Sequence, residues 1–203
     1  MISIIDLGIG NVGSIKNMIH RLGKYSLITN SSEDINKATK LILPGIGSFD
    51  NAISKLNNLG IKGVLEEKVI HQKVPILCIC LGMQLLANGS EEGDKAGLGW
   101  VNGYVKKFTF DNGLKIPHMG WNNVTIKKDS KLFDRSIVDD QRFYFVHSYH
   151  FVCDNEEDIL CTAQYGYEIT AAIEKDNIYA TQFHPEKSHK YGLNLLNSFI
   201  SLE

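Results

Sequence analysis

The sequence predicts an α/β fold in which one open, mostly parallel (mixed) sheet is flanked by helices, within a single domain over residues 1–203. In the first half, short apolar runs alternate with helix-length amphipathic segments, a pattern typical of parallel βαβ units. Residues 104–183 contain short strand-like runs, which we expect to add antiparallel strands to the same sheet. An apolar run that ends at Cys80 is followed at once by a helix former, which is the layout of a nucleophile elbow.

Each predicted element has a local signal for where it begins or ends. Gly23 and Gly60 end helices, Pro44-Gly45 stops the third strand, and Ser48 is a candidate N-cap. Residues 88–99 are glycine-rich and acidic, which indicates a surface loop. The predicted strands of the first half are residues 2–6, 25–29, 40–43 and 75–79. The predicted helices are residues 12–22, the segment from Ser48 through residue 59, and residues 64–72, 81–87 and 189–202.

The composition is that of a soluble globular protein, with 43% hydrophobic residues, 22% charged residues and a formal net charge of −2. A net charge this close to zero gives no basic surface for nucleic acid or for a membrane. The N-terminal residues lack the basic flank and apolar core of a signal peptide, and no apolar stretch is long enough to span a bilayer. We therefore expect a cytoplasmic protein with reduced cysteines and with neither nucleic acid nor membrane as a partner.

Cys80 is the predicted nucleophile. A strained turn between a strand and a helix exposes such a residue, and the N–H groups of the helix favour the thiolate. Gly82 follows two residues later, where close packing of the helix on the strand leaves no room for a side chain. Cys78 lies two residues upstream on the same strand face without turn chemistry after it, so we expect a small packing residue there. The alternative is a buried pair of cysteines at a strand end.

His184 and Glu186 are the predicted partners of Cys80. They lie two residues apart at the end of another apolar strand, so their side chains point the same way on an extended segment. Glu186 can then accept a hydrogen bond from one ring nitrogen and fix the tautomer, while the other nitrogen faces the thiol. The tripeptide alone would more often be a solvated loop. Beside an elbow, it favours a Cys–His–Glu site for thiol acyl transfer.

Two glycine-rich turns follow the first and third predicted strands. Residues 44–49 leave backbone N–H groups exposed, which suits an oxyanion donor or an ordinary turn. Gly8, Gly10 and Gly13 match a dinucleotide-binding pattern. The second strand ends in Thr29-Asn30 rather than in an acid, so we interpret this pattern as a tight turn near the active edge of the sheet. No Cys/His group has the spacing of a zinc site, so we expect no metal.

Two aromatic-rich segments remain. Residues 143–150 mix apolar strand residues with polar tips, which suits a pocket wall for a small polar ligand or an amphipathic strand. Residues 116–122 place Met119 and Trp121 beside glycine and proline on a predicted loop. Exposed there, these two side chains would form a contact surface, and a buried tryptophan is the alternative.

These motifs together resemble the class I, triad-type glutamine amidotransferases and, within that family, the glutaminase subunits of imidazole glycerol phosphate synthase. The resemblance runs nearly end to end. The Cys80 elbow and the segment His184-Pro185-Glu186 are typical of the family, and the segments PHMGWN from Pro117 and YFVHSY from Tyr144 are typical of the subunit. This chain has Cys78 where the family usually carries glycine, so we expect a crowded turn or a shifted strand end.

The resemblance implies the class I glutamine amidotransferase fold and a role for each matched position. Cys80 would attack the glutamine amide and form a thioester, with His184 as base and then acid, Glu186 orienting it, and no cofactor. The other implied roles are oxyanion donors through backbone N–H groups (Gly47, Leu81), glutamine-binding residues (Gln84, Tyr144, Ser148, Tyr149) and residues that face a partner subunit (Trp121, Lys187).

The resemblance also implies the reaction and the partner. The chain would be one subunit of a heterodimer, hydrolysing L-glutamine and passing ammonia to a (β/α)₈ barrel that makes imidazole glycerol phosphate and AICAR in histidine biosynthesis. The alternative is a paralogous subunit whose barrel partner makes amino or amidino sugars for surface polysaccharide, because both would keep the triad. The intact triad disfavours an idle binding subunit, and the YFVHSY segment disfavours a cysteine protease.

Overall fold

The computed structural model describes residues 1–111, 113–133 and 141–202, which form twelve strands and six α-helices. A π-helical segment, Glu67–His71, continues the fourth helix, and 3₁₀ turns lie at Glu156–Asp158 and Pro185–Lys187. The strands β1 to β12 are Ile2–Ile5, Ser26–Thr29, Lys40–Gly45, Ile76–Cys80, Gly89–Ser90, Gly103–Lys107, His118–Ile126, Arg142–His147, Tyr149–Cys153, Ile159–Tyr165, Tyr167–Lys175 and Ile178–Thr181. The helices α1 to α6 are Val12–Arg21, Ser32–Asn36, Phe49–Asn58, Lys62–Glu66, Leu81–Gln84 and His189–Ile200.

The main sheet has nine strands in the order β2-β1-β3-β4-β12-β11-β10-β7-β8. The strands from β2 to β12 in this order pair in parallel. The strands from β12 to β8 pair antiparallel. The predicted mixed sheet flanked by helices is therefore confirmed, with a parallel half that carries the βαβ units and an antiparallel half after them.

A second, three-stranded sheet contains β5, β6 and β9. The expectation that the strands of the second half all join one sheet is therefore wrong for β6 and β9. The aromatic-rich run that begins at Phe143 is divided at Ser148, so that β8 ends in the main sheet and β9 begins in the small one. Ser148 thus lies at the junction of the two sheets.

Two apolar clusters cover the two faces of the main sheet. One contains Ile15 and Ile19 of α1 with Leu195 and Phe199 of α6. The other contains the buried side chains of α3 and α4 and extends to Val105 and Phe151 of the small sheet. The parallel strands are therefore covered on both faces. Because successive side chains of a strand point to opposite faces, most of them are buried, and the strand sequences are largely apolar runs.

The acidic loop predicted at residues 88–99 is bound to the start of α3. Ser48 holds the predicted N-cap position, but its side chain makes no capping hydrogen bond. Instead, the N–H of Phe49 donates to Glu92 Oε2 at 2.8 Å. The Asp50 carboxylate in turn accepts from two N–H groups of the loop, those of Asp94 and Lys95. The loop therefore supplies the carboxylate that the helix N-terminus favours.

The helix after the elbow is shorter than predicted, because α5 ends at Gln84 rather than at residue 87. The carbonyls that follow it accept hydrogen bonds from residues further along the chain, as in Leu98 N–H to Leu85 O at 2.8 Å. Gly97 permits this approach, since a Cβ there would lie 2.0 Å from Ala87 O. Among the residues described, no helix has the length and apolarity that a membrane span requires.

Candidate active site

The predicted catalytic residues, the predicted oxyanion donors and three of the four predicted glutamine-binding residues meet at the carboxyl ends of the parallel strands. The segments that follow β1, β3, β4 and β12 all reach this edge, where they border a cavity of about 740 Å³. Parallel strands bring such segments together, because their carboxyl ends lie on the same side of the sheet. The cavity is lined by Gly10, Asn11, Ile46, Gly47, Cys80, Leu81, Gln84, Glu92, Pro117, Val146, His147, Ser148, Tyr149, His184, Glu186 and Lys187.

Cys80 lies in a strained turn between β4 and α5. Its φ of 55° and ψ of −109° fall in a region that residues with a side chain rarely adopt. A backbone of this kind costs about 1–3 kcal/mol and persists only where the surroundings enforce it. Gly82 is part of that enforcement, because a Cβ there would lie 2.0 Å from Leu43 O. The elbow and the close packing behind it are therefore present as predicted.

Cys78 is buried in β4 and does not prevent the elbow. It pairs in register with Leu43 and Ala180, and the pairing continues to Cys80 without a shift. The expectation that both thiols lie on one strand face is wrong. Cys78 packs in the cluster of α3 and α4, whereas the turn at Cys80 moves that side chain into the opposite cluster. All four cysteines are described, and all are free thiols.

His184 and Glu186 form a buried pair in the 3₁₀ turn after β12. His184 Nδ1 lies 2.7 Å from Glu186 Oε1, and both side chains are 3% exposed. Since the carboxylate can only accept, Nδ1 carries the proton in this pair. The other ring nitrogen, Nε2, is buried and has no hydrogen-bond partner among the residues described. It is therefore available for a proton from a group in the cavity.

Electrostatics favour the charged form of His184. Burial lowers the pKa of this imidazole, but its interaction with Cys80 and the hydrogen bond and charge of Glu186 outweigh burial and raise the pKa to about 10. Burial alone raises the pKa of the Cys78 thiol far above its usual range. Of these two thiols, only Cys80 is paired with a group that stabilises a thiolate.

The glycine-rich turns border the nucleophile. Gly47 has a φ of +99°, which favours glycine, and it lines the cavity together with Leu81. In the first turn, Gly8 and Gly10 also have positive φ, whereas a Cβ on Gly13 would have no atom within 4 Å. A dinucleotide fingerprint uses its third glycine for close helix–strand packing. Gly13 makes no such close packing, which supports the interpretation of a tight turn at the active edge of the sheet.

Three of the four residues predicted to bind glutamine line the cavity, namely Gln84, Ser148 and Tyr149. Tyr144 lies outside this lining. Its ring faces Lys187 Nζ at 5.7 Å and the ring of Trp121 at 6.3 Å. The structure therefore does not bring Tyr144 to the cavity, which on β8 is lined by Val146 and His147, nearer to Ser148.

Trp121 is on strand β7, not on a loop as expected, and it is 45% exposed. The alternative of a buried tryptophan is therefore wrong. Met119 lies two residues before it and is 61% exposed. Residues two apart on a strand share a face, so the two side chains form one exposed apolar surface. The Arg142 guanidinium lies 5.9 Å from the Trp121 ring centre at the rim of this surface.

Sequence reasoning missed two residues that shape the site. Gln182 is fully buried, and its Nε2 donates to Cys80 Sγ at 3.7 Å. A polar residue inside the apolar run before His184 was the available signal. Gly192 in α6 lies against the turn that carries Glu186, since a Cβ there would be 1.8 Å from Pro185 O. A glycine within a helical pattern was the signal in that case.

Comparison with known proteins agrees with this geometry. The family model for glutamine amidotransferase class-I matches residues 3–201. The imidazole glycerol phosphate synthase subunit HisH 2 of Methanococcus maripaludis is 54% identical over 200 residues, 98% of each chain. The imidazole glycerol phosphate synthase subunit HisH of Leptospira interrogans is 45% identical over 205 residues, with complete coverage of both chains.

Solved structures share the fold. A crystal structure of a glutamine amidotransferase superposes with a TM-score of 0.76 at 18% identity, covering 98% of this chain and 96% of the other. A putative GMP synthase protein from Thermoplasma acidophilum gives a TM-score of 0.72 at 22% identity, covering 98% and 91%. With a family match over nearly all its length and relatives at this identity, the chain belongs to the class-I glutamine amidotransferase family.

Proposed function

We propose that the chain is the glutaminase subunit of an imidazole glycerol phosphate synthase and that it hydrolyses glutamine to glutamate and ammonia. The observation that carries this proposal is the shared cavity of Cys80, in its strained turn, and the buried His184–Glu186 pair. The relatives that match over their full length bear the name of this synthase subunit. Neither of their names favours the alternative of a subunit for surface-polysaccharide sugars.

In the proposed reaction, the Cys80 sulfur attacks the side-chain amide carbon of glutamine. His184 holds the thiol proton and gives it to the leaving nitrogen, so that ammonia departs and a thioester remains. A water molecule then attacks the thioester, with His184 taking its proton and returning one to the sulfur. Glutamate leaves and the thiol is restored. Glu186 keeps Nδ1 protonated and stabilises the imidazolium in both halves of the cycle.

The backbone N–H groups of Gly47 and Leu81 are proposed to hold the oxyanion that forms in each attack. Both residues border the cavity beside Cys80, and Leu81 opens the helix immediately after it. Donors positioned at a developing oxyanion are worth about 10²–10³-fold in turnover. The positive φ of Gly47 allows its peptide to turn between orientations that a side chain would forbid. Such a rotation would switch the donor in or out of position.

Gln84, Ser148 and Tyr149 are proposed to bind the polar groups of glutamine, because they line the cavity next to Cys80. We do not extend this role to Tyr144. Together with the exposed surface of Trp121 and with Lys187, it is better placed for contact with a partner subunit. The proposed partner is a (β/α)₈ barrel that takes the ammonia and makes imidazole glycerol phosphate and AICAR. The proposed setting is the cytoplasm, in a heterodimer, with residues 1–203 acting as one domain.

The test of the proposed function is steady-state glutamine hydrolysis by the chain alone, with the barrel protein, and with the barrel protein and its phosphorylated substrate. We expect a poor glutaminase alone and faster turnover in each successive condition, because an unfavourable resting conformation suppresses turnover until a partner shifts it. Equal rates in the three conditions would mean a self-sufficient hydrolase, and the subunit role would be abandoned.

The same assay, titrated with the barrel protein, gives the dissociation constant of the complex and so locates the partner surface. Trp121→Ala should raise the dissociation constant of the complex by about tenfold or more, since exposed tryptophans often carry a large share of binding energy. Tyr25→Ala is the matched control, because Tyr25 is also exposed but lies next to β2 at the far edge of the sheet. If the two variants bind the barrel equally well, Trp121 is not at the interface.

Glu186→Gln should lower kcat by about 100-fold with little change in KM, because it removes a charge from His184 without touching the proposed glutamine contacts. Glu186 helps to raise the pKa of His184, so its loss lowers that pKa and the imidazolium is lost at a lower pH. The alkaline limb of the kcat profile should therefore move to lower pH. Glu66→Gln, at an exposed position, is the control and should leave kcat unchanged. If Glu186→Gln also leaves kcat and the alkaline limb of its pH profile unchanged, Glu186 is not a member of the triad.

A further inference from the structure

A buried polar side chain outside the cavity lining contacts the nucleophile. Gln182 is fully buried, and its Nε2 donates to Cys80 Sγ at 3.7 Å. Its other end is also held, since Gln182 Oε1 accepts from Gln84 Nε2 at 3.1 Å. A buried amide that is held at both ends has a fixed orientation. Its N–H group is thus aimed at the sulfur, where it stabilises negative charge.

Gln84 is itself fixed by the main chain. Its Nε2 donates a second hydrogen bond to Tyr149 O at 3.0 Å. An amide nitrogen has two hydrogens, so both are used within the protein. The side chain therefore cannot rotate its amide without losing a contact to Gln182 or to Tyr149. The position of Gln182, and with it the donor at Cys80 Sγ, depends on where the Tyr149 carbonyl is held.

Two buried histidines hold that carbonyl. His147 Nδ1 lies 2.8 Å from Tyr149 O, and His147 Nε2 lies 2.9 Å from His118 Nδ1. The chain of contacts ends at Asn122, whose Nδ2 lies 3.2 Å from His118 Nε2 and also donates to Gln164 O. Because an amide NH₂ can only donate, His118 accepts at Nε2 and donates from Nδ1. His147 must then accept at Nε2 and donate from Nδ1 to the carbonyl.

Both histidines are neutral, which this arrangement requires. Burial lowers the pKa of His118 to about 4 and that of His147 to about 3. A charged imidazole would present donors at both nitrogens and would break one of the contacts. The ring of His118 is also packed against Tyr165, with centroids 4.0 Å apart. The tautomers and the ring orientations of His118 and His147 are thus fixed from Asn122 to the Tyr149 carbonyl.

We propose that Gln182 is a further catalytic residue, which donates a hydrogen bond to the Cys80 thiolate, and that His147 and His118 are positioning residues acting on it through Tyr149 and Gln84. This inference rests on the proposed role of Cys80 as nucleophile. No atom is transferred to or from Gln182. Its contribution is to favour the thiolate alongside the charged His184.

The first test compares Gln182→Met with Gln72→Met, in which the same change is made at an exposed position after the π-helical segment. The readout is the rate at which iodoacetamide alkylates Cys80 of the full chain across a range of pH, followed by mass spectrometry of the peptide that contains it. Removing this donor disfavours the thiolate, which is the form that is alkylated. We expect alkylation of Gln182→Met at neutral pH to fall about tenfold, with its midpoint moved to higher pH.

The second test addresses the histidines and serves also if Gln182→Met does not fold. His147→Leu removes the donor to Tyr149 O, whereas His147→Asn retains an N–H group near the position of Nδ1. We expect alkylation of Cys80 to slow in His147→Leu and to recover in His147→Asn. A purely structural role would lower stability in urea for both variants without changing the midpoint of the alkylation profile.

These outcomes separate the inference from the proposed function, because alkylation does not require glutamine hydrolysis. If the parent chain hydrolyses glutamine with its partner while Gln182→Met and His147→Leu alkylate as the parent does, the inference is overturned and the function stands. If both variants shift the profile while the parent with its partner does not hydrolyse glutamine, the network stands and the function is wrong.

Discussion

Replacing Cys80 with alanine is expected to lower glutamine hydrolysis by a factor on the order of 10⁴ or more, measured with the barrel partner present. The variant loses the atom that forms the thioester, so only the oxyanion donors and the bound geometry remain. The fold should be retained, because alanine is smaller than cysteine and Gly82 and Leu43 continue to enforce the turn. Unfolding in urea should therefore change little.

Cys78→Ala is the matched control for this experiment, since it makes the same chemical change two residues away in β4. Burial holds the pKa of Cys78 well above its usual range, so this thiol stays protonated and unreactive. Its loss leaves a small cavity among apolar neighbours, at a cost of about 1 kcal/mol, with most activity retained. If an electrophilic glutamine analogue modifies Cys78 in preference to Cys80, the assignment of the nucleophile is wrong.

Gly192→Ala is expected to have the second largest effect, on stability and on turnover together. The new Cβ would lie 1.8 Å from Pro185 O, so α6 and the turn of Glu186 cannot keep their present separation. Overpacking of this kind costs about 1–3 kcal/mol. Glu186 follows Pro185 directly, so a displaced turn lengthens the contact between His184 Nδ1 and Glu186 Oε1. We expect kcat to fall along with the urea midpoint.

Gly63→Ala separates this contact from the general effect of alanine in a helix. Gly63 lies in α4, and a Cβ there would have no atom within 4 Å. Alanine should therefore stabilise the protein by about 0.5–1 kcal/mol without affecting turnover. A Gly192→Ala variant that unfolds at the same urea concentration as the parent and keeps its kcat would show that the turn moves freely away from α6.

The catalytic part of the site could be predicted because its signals are local. A strand, a cysteine, and a glycine two residues later specify the elbow. The spacing of His184 and Glu186 predicts their contact, but the structure forms it through a 3₁₀ turn at Pro185–Lys187 and not on the extended segment expected. The positive φ at Cys80 and the buried 2.7 Å pair agree with these predictions. Close packing at Gly82 also follows from a local requirement.

Other features depend on parts of the chain that are distant in sequence. The apolar run of β8 and β9 alternates on both sides of Ser148, so nothing in it indicates that two sheets share it. After Gln84, α5 gives way to i→i−3 hydrogen bonds, and the carbonyls of residues 85–88 accept from residues 97–101, which no local pattern indicates. Gln84 and Gln182 are 98 residues apart, and only the pairing of β4 with β12 makes them neighbours.

The place of β12 in the sheet also decides when the site can first exist during synthesis. β12 pairs with β4 on one side and with β11 on the other, so the nucleophile strand lacks this neighbour until residues 178–181 have been synthesised. Domains acquire structure from the N-terminus as the ribosome proceeds, and pairings between distant segments form late. Cys80 is synthesised about a hundred residues before His184, so the growing chain carries the nucleophile before it carries the base. Glutamine hydrolysis therefore becomes possible only after α6 has left the ribosome and packed against the turn that carries Glu186.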